Sequence, residues 1–516
     1  MELSAAIGGV MIVLTLAGIL ARYLSGKLDL FSFQTFFLFG MVAFFFAPML
    51  AYKFFEYDTV YRPDGSGWMI LSGGVVMFML VYIAFSRIGR RSFLMDKVLP
   101  RFTMPCTVSG LVITGVVGVI SAVVIYRLFY VPGELTVLSI FVLGFIPSIM
   151  AFSVQLFVVL IIKKPGNLLF WVLGVATFGG GVLLAVSLSS DRRFVLGVLL
   201  AVPWMVYYAW LRYKPAGVSL MVSAIGIGVA TTFTVAYTNL RHTMTFDDQA
   251  VSQRVSQLQG AAASAIYTER NIKAVAAQDA AIMSMYYIEN YPNNFKFMPF
   301  QGLLFAVVNP VPRALWPDNP FLPEKPIALG MQMQAALKTG GNLGTGIIGH
   351  GWAELGWVGI AYYAVFFGFL MSAIDRSIRL RISNPYFIAA IGASMGNVLA
   401  LARGETSLFL VLIIYGMLGI WLVVFALQRT LRPLMLAGTP VEFGPPEGYI
   451  DRIDSQRVDA DEMIESGSYA DYNDPAFASD GYSEHGDPVE GGEPAGGGVP
   501  GAMRASPAGL DSDRGG

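Results

Sequence analysis

Apolar runs of about twenty residues recur along this chain, and each is long enough to cross the hydrocarbon core of a bilayer as a helix. They lie near Ala5–Leu24, Leu30–Ala51, Trp68–Phe85, Met104–Leu128, Leu135–Ile162, Leu168–Leu188, Phe194–Leu211, Val218–Tyr237, Ile348–Ala373, Tyr386–Ala402 and Ser407–Leu427. In lipid every backbone N–H and C=O must be bonded within its own segment, so each run is expected as a helix. The expectation is an all-α, polytopic integral membrane protein with about eleven transmembrane helices. With 55% hydrophobic and only 13% charged residues, the composition does not suit a water-soluble domain. The first run has no basic segment before it and no small-residue cleavage site, so it reads as a retained span rather than a signal peptide. A single cysteine, Cys106, excludes an intrachain disulfide and a cysteine-based metal cluster.

Basic residues set the expected orientation. Arg22 and Lys27, then Arg87, Arg90, Arg91, Lys97 and Arg101, then Lys163 and Lys164, Arg212 and Lys214, and Arg376, Arg379 and Arg381 all fall in odd-numbered loops. The positive-inside rule makes those loops cytoplasmic and puts the N-terminus outside. Arg192 and Arg193 in the sixth loop break the pattern. Four regions follow: a membrane bundle of about eight spans at 1–237, a large extracytoplasmic loop at 238–347, a second bundle of about three spans at 348–430, and a tail at 431–516. Within the loop, Ala274 to Tyr286 has the apolar spacing of a helix lying against membrane or bundle. Phe297–Val308 is apolar but too short to span, and looks re-entrant or interfacial up to the Pro310/Pro312 break.

The tail is expected to be a disordered cytoplasmic arm. From Val441 onward it holds seventeen Asp/Glu against four Arg, with much Gly, Ser and Pro. Such a composition cannot bury enough apolar surface to offset the entropy of ordering. Removing it from the totals of 34 basic and 35 acidic residues leaves 30 and 18, so the membrane body carries +12. A positive body suits anionic lipid and phosphate-bearing ligands, and cytoplasmic retention charges account for much of it.

Polar chemistry gathers at the expected outer face. Arg313 sits between prolines beside Trp316-Pro317, so its backbone is stiff. Its guanidinium is suited to bidentate phosphate binding, or to snorkelling among headgroups beside a tryptophan belt. Arg403 ends the tenth run on the side where positive charge is disfavoured; pairing with Glu405 or lipid is the plain alternative to a functional role. Arg241-His242 close the eighth run and also read as a solvated loop start. His350, one of three histidines, lies in a glycine-rich stretch with Glu354 one helical turn later, so both can share a face. A neutral imidazole is a proton acceptor at neutral pH, and the alternative is a loop histidine at a helix start. Glu354 could equally be a carboxylate in the first turn of a helix. A His-x-x-x-Glu pair is also half a metal site, but no companion ligands accompany it. No metal or cofactor is therefore expected, and no nucleotide fingerprint or nucleic-acid signature appears.

In order, the residues Asp279, Tyr291-Pro292, Gln301-Gly302, Pro312-Arg313-Ala314-Leu315-Trp316-Pro317, Lys325-Pro326 and Gly346-x-x-Gly349-His350-x-x-x-Glu354-x-Gly356-x-x-Gly359 make a recognisable set. Over about 274–405 the chain resembles the bacterial oligosaccharide repeat-unit polymerases, the O-antigen polymerase (Wzy-like) family. The N-terminal half is similar by topology alone. The family often places Lys-Pro soon after Trp-Pro, whereas here Asn319-Pro320 stands there; the acidic tail has no counterpart.

The resemblance implies a glycosyltransferase of the bacterial cytoplasmic membrane, acting at its outer face on polyprenyl-diphosphate-linked repeat units. It implies diphosphate binding by Arg313, Arg403 and Arg241, a base at His350 or Glu354, and sugar stacking on Trp316 or Trp352. The expected partners are lipid-linked oligosaccharides, membrane lipids, and a chain-length regulator and flippase of the same pathway. Two alternatives stay open: an O-antigen ligase with the same donor, and a lipid-linked oligosaccharide or polysaccharide transporter. A transporter would need ionisable groups in mid-span, which these runs nearly lack.

Overall fold

Helices account for every extended element of the structure, a computed structural model that describes residues 2–54, 65–130, 137–188, 192–243, 280–308, 316, 344–404 and 406–444. In chain order they are α1 (Glu2–Leu24), α2 (Phe33–Met41) running through a π-helical turn (Val42–Phe46) into α3 (Ala47–Phe54), α4 (Gly65–Gly89) and α5 (Leu94–Val98). Next come α6 (Val108–Phe129), α7 (Val137–Lys163), α8 (Leu168–Leu188), α9 (Arg192–Ala209) and α10 (Ala216–Thr243). After the loop follow α11 (Ala280–Asn290), α12 (Gln301–Val308), α13 (Ile347–Leu355), α14 (Trp357–Leu380), α15 (Pro385–Gly392), α16 (Met395–Ala400), α17 (Thr406–Thr430) and α18 (Arg432–Leu436). Among the described residues, nine helices are long and apolar enough to cross a membrane. The protein is an all-α, multi-pass membrane protein.

Local chemistry starts these helices where the sequence changes character. Ser32 accepts from the Thr35 N–H at the start of α2, Thr107 from Gly110 N–H at α6, and Asn384 from Phe387 N–H ahead of Pro385 at α15. Each cap satisfies a donor that the helix itself leaves open. Helix α7 is the axis of the bundle: its membrane window is 89% buried, against 28% for α1. It packs on α6, α8, α9 and α17. A second layer pairs α4 with α14. Gly73 and Gly74 meet Trp357 and Ile360 at one end, and Gly89 meets Phe369 and Ser372 toward the other, so the two run parallel.

Two of the eleven expected spans are not continuous. The run Ile348–Ala373 is two helices, α13 and α14, parted at Gly356, whose φ of 60° and ψ of −134° no helix accommodates. The hairpin closes tightly, because a Cβ at Gly359 would stand 1.9 Å from the Gly351 carbonyl oxygen. The run Tyr386–Ala402 is likewise two short helices, α15 and α16, interrupted at Ala393-Ser394. Interrupted backbone is tolerated at membrane depth only inside protein. Here Trp204 Nε1 donates to the Ile388 carbonyl at 3.0 Å, and Gln155 Nε2 to the Ala389 carbonyl at 3.1 Å. Neighbouring helices thus cover this segment.

Two further expectations are refined. Residues Ala280–Ile288 of α11 are buried throughout, packed on α13 and α4 within the bundle rather than along its surface. The segment 432–444, assigned by composition to the tail, is ordered: Val441 N–H donates to the Cys106 carbonyl at 2.8 Å, and Ser109 Oγ to the Met435 carbonyl at 2.9 Å. Met435, Val441 and Phe443 are buried, which the charge count over the whole tail had concealed. The acidic part, 445–516, lies outside the described residues.

Candidate functional site

The short helix α13 carries the most concentrated buried chemistry. Its backbone is fixed first: Gly346 N–H donates to the Arg403 carbonyl at 2.6 Å and Ile347 N–H to the Ala402 carbonyl at 3.1 Å. The loop after α16 therefore caps the helix with main-chain oxygens. Ser284 of α11 holds the next turn, its Oγ accepting from Gly349 N–H at 3.1 Å and lying 3.0 Å from the Thr345 carbonyl oxygen.

His350 and Glu354 then project from one face. His350 Nε2 lies 3.1 Å from Glu354 Oε1, with 2% and 1% of the two residues exposed. The same oxygen accepts from Gly302 N–H at 2.7 Å, at the start of α12, and from the Tyr363 hydroxyl at 2.8 Å, on α14. The sequence allowed Glu354 to be a favourable first-turn carboxylate, but it stands in the last turn of α13, where the helix dipole opposes negative charge. The amino end of α12 and the two side-chain donors offset that.

This geometry defines what each atom can do. A carboxylate is acceptor-only, so the imidazole nitrogen facing it carries the proton, which leaves Nδ1 with an open lone pair. His350 Nδ1 and Glu354 Oε2 have no hydrogen-bond partner among the described residues, although both are buried. An unmatched buried acceptor is costly, on the order of 1–3 kcal/mol, so each invites a donor such as a hydroxyl. Tyr363 meets the imidazole edge-on at 5.3 Å between ring centroids and limits its rotation.

Gly302 explains the Gln-Gly pair of the loop. A Cβ there would lie 2.4 Å from Tyr363 Oη, 2.5 Å from His350 Nε2 and 2.8 Å from Glu354 Oε1. Only a glycine lets the α12 backbone reach the carboxylate.

The other sequence candidates fall differently. Arg403 is half-buried, its Cγ and Nε against Gly344, so it joins the glycine-rich segment that leads into α13. Trp352 is 9% exposed, donates Nε1 to the Tyr291 carbonyl at 3.0 Å and packs edge-on against Trp357. Its indole is held between the Tyr291 main chain and Trp357. Trp316 is 38% exposed. Arg241 lies in the last turn of α10, and Arg313 and Asp279 lie outside the described residues.

Sequence reasoning missed two members of the site. Tyr363 follows Glu354 by nine residues across the Gly356 break, a spacing that no continuous helix would bring together. Ser284 had a signal, as the one small polar residue in Ala-Ala-Ile-Met-Ser-Met-Tyr-Tyr. Burial, with the neighbouring Tyr286, pushes the Tyr291 phenol up to about 12, so that ring is neutral at physiological pH. Among the described residues, no group of three or more His, Cys, Asp or Glu side chains is arranged to hold a metal ion.

Comparison with protein-family models, curated proteins and solved structures returns no match for this chain.

Proposed function

We propose that this protein polymerises polyprenyl-diphosphate-linked oligosaccharide repeat units into a surface polysaccharide at the outer face of the bacterial cytoplasmic membrane. One observation carries the reading. The Gln301-Gly302 and Gly349-His350-x-x-x-Glu354 motifs, on which the resemblance to O-antigen polymerases rests, meet in one buried constellation although Gly302 and Glu354 are 52 residues apart.

In this reading His350 Nδ1 takes the proton of the acceptor sugar hydroxyl. Glu354 holds the imidazole in the required tautomer and stabilises the imidazolium that forms. The acceptor oxygen bonds to the anomeric carbon of the donor, the anomeric carbon–oxygen bond to diphosphate breaks, and polyprenyl diphosphate leaves. Arg313, Arg403 and Arg241 are the cations assigned to that leaving charge, and Trp316 supplies the exposed ring for a sugar face. Neither nucleotide nor metal is required by the scheme.

The test is the glycan pattern in cells lacking the chain, complemented with wild type or His350→Ala. The expected result is loss of long polysaccharide with single repeat units retained, unchanged by the variant at normal protein abundance. Complete polymer stranded on its lipid carrier would overturn the proposal in favour of a ligase.

A further inference from the structure

The end of the bundle opposite the His350–Glu354 site holds a second polar cluster that the proposed reaction does not use. Arg22 ends α1, Arg90 follows α4, and Arg379 lies in the last turn of α14; all three are half-buried. They are electrostatic neighbours, Arg90 sensing Arg22, Arg379, Asp375 and Tyr82, and Arg22 sensing Tyr82, Asp375 and Arg379. From Trp357 to Arg379 helix α14 rises about 33 Å, so this cluster and the first site sit at opposite ends of the span.

None of the three arginines is in an ion pair among the described residues. Arg22 donates to Gln34 Oε1 at 3.3 Å, and Arg90 Nε donates to the Ser86 carbonyl of its own helix at 3.3 Å. The nearby carboxylates are engaged elsewhere. Asp375 caps α2, accepting from Phe33 N–H at 2.7 Å and Gln34 N–H at 3.2 Å. Asp29 pairs with Arg212 at 2.9 Å, and Asp96 with Arg376 at 3.7 Å. Three guanidiniums thus share one already occupied carboxylate. Burial and the neighbouring Arg22 and Arg379 charges lower Arg90 to about 10, so gathering these cations costs free energy.

Two buried polar groups sharpen the reading. The Tyr82 hydroxyl and the Gln34 amide nitrogen have no hydrogen-bond partner among the described residues, with the residues 1% and 0% exposed. Both can donate, as all three arginines do. With Asp375 committed to the α2 backbone and Gln34 Oε1 to Arg22, the polar groups left over can all donate, which is complementary to a group that only accepts. Retention charges need only face water, as Arg87 and Arg91 do; half-burying three of them together serves no such purpose.

We propose that Arg22, Arg90 and Arg379, with Tyr82 and Gln34, form a binding site for a phosphate group at the bundle end opposite the His350–Glu354 constellation. The phosphate belongs either to an anionic lipid headgroup or to a soluble phosphate or diphosphate. The inference is independent of the reaction proposed above, and either can fail alone.

The test uses the full-length protein purified in detergent. Retention of phosphatidylglycerol against phosphatidylcholine is measured by native mass spectrometry, and stabilisation of lipid-stripped protein by inorganic pyrophosphate is read from Tm. Arg90→Gln/Arg379→Gln should weaken phosphate binding at least about tenfold, the loss of a charge-assisted contact, while Arg87→Gln should match wild type. Loss confined to phosphatidylglycerol identifies a lipid headgroup, and loss confined to pyrophosphate a soluble ligand. Should the double variant fail to fold, Arg379→Gln alone answers the question, because among the described residues the Arg379 side chain makes no hydrogen bond. Wild type and variants behaving alike in both arms would overturn the site.

Discussion

Replacing Gly302 by alanine adds one methyl group at the point where three functional atoms converge. That Cβ would stand 2.4 Å from Tyr363 Oη, 2.5 Å from His350 Nε2 and 2.8 Å from Glu354 Oε1. Ordinary contact begins near 3.5 Å, so about 1 Å of displacement must be found. None of the three atoms is the loose end of a flexible chain. His350 and Tyr363 are both tied to Glu354, and all three residues are buried. Relaxation must therefore move α12 away from α13, stretching the Gly302 N–H bond to the carboxylate. Overpacking of this kind costs about 1–3 kcal/mol. A displacement of about 1 Å at a reacting group costs roughly a hundredfold in rate. Gly302→Ala should accordingly lower the Tm of the purified protein modestly and shorten the glycan distribution severely. Glycine to alanine at Gly18, where a Cβ meets nothing within 4 Å, should leave both unchanged and is the control. An alanine variant with wild-type Tm and wild-type glycan lengths would falsify the close convergence on which the site rests.

Arg403→Lys keeps the carbonyl that caps α13 but loses the planar fork, so it should fold normally and polymerise about thirtyfold to a thousandfold more slowly, the effect of losing 2–4 kcal/mol of transition-state stabilisation. Full chain lengths at normal abundance would remove Arg403 from the diphosphate role. Truncation after Gly444 should leave Tm and membrane insertion intact, whereas truncation after Thr430 removes Met435 and Val441 from Cys106, Thr107 and Ser109 and should lower Tm; equal stability of the two would show that the 432–444 segment contributes nothing. Reporter fusions at Asn294 and Arg379 should read opposite sides of the membrane, outside and cytoplasmic respectively. A cytoplasmic signal at Asn294 would remove the extracytoplasmic site.

Sequence alone determined the class, because apolar runs of bilayer length have one stable backbone solution, and eight of the spans continue as single helices broadly where the runs lie, with Phe33–Tyr52 a ninth that passes through a π-helical turn. It also singled out His350 and Glu354, since a four-residue spacing shares a helix face whichever helix that is. Hydropathy could not show that Ile348–Ala373 and Tyr386–Ala402 are each broken in two, because an apolar average is blind to one glycine at φ 60° or to an interruption sealed by Trp204 and Gln155. Nor could spacing bring Gly302 and Tyr363 to one carboxylate oxygen, or gather Arg22, Arg90 and Arg379 from three helices at the other end. Periodicity records which face a residue takes within its own helix. Which faces meet is decided by packing between helices distant in sequence, and both polar clusters of this protein are made there.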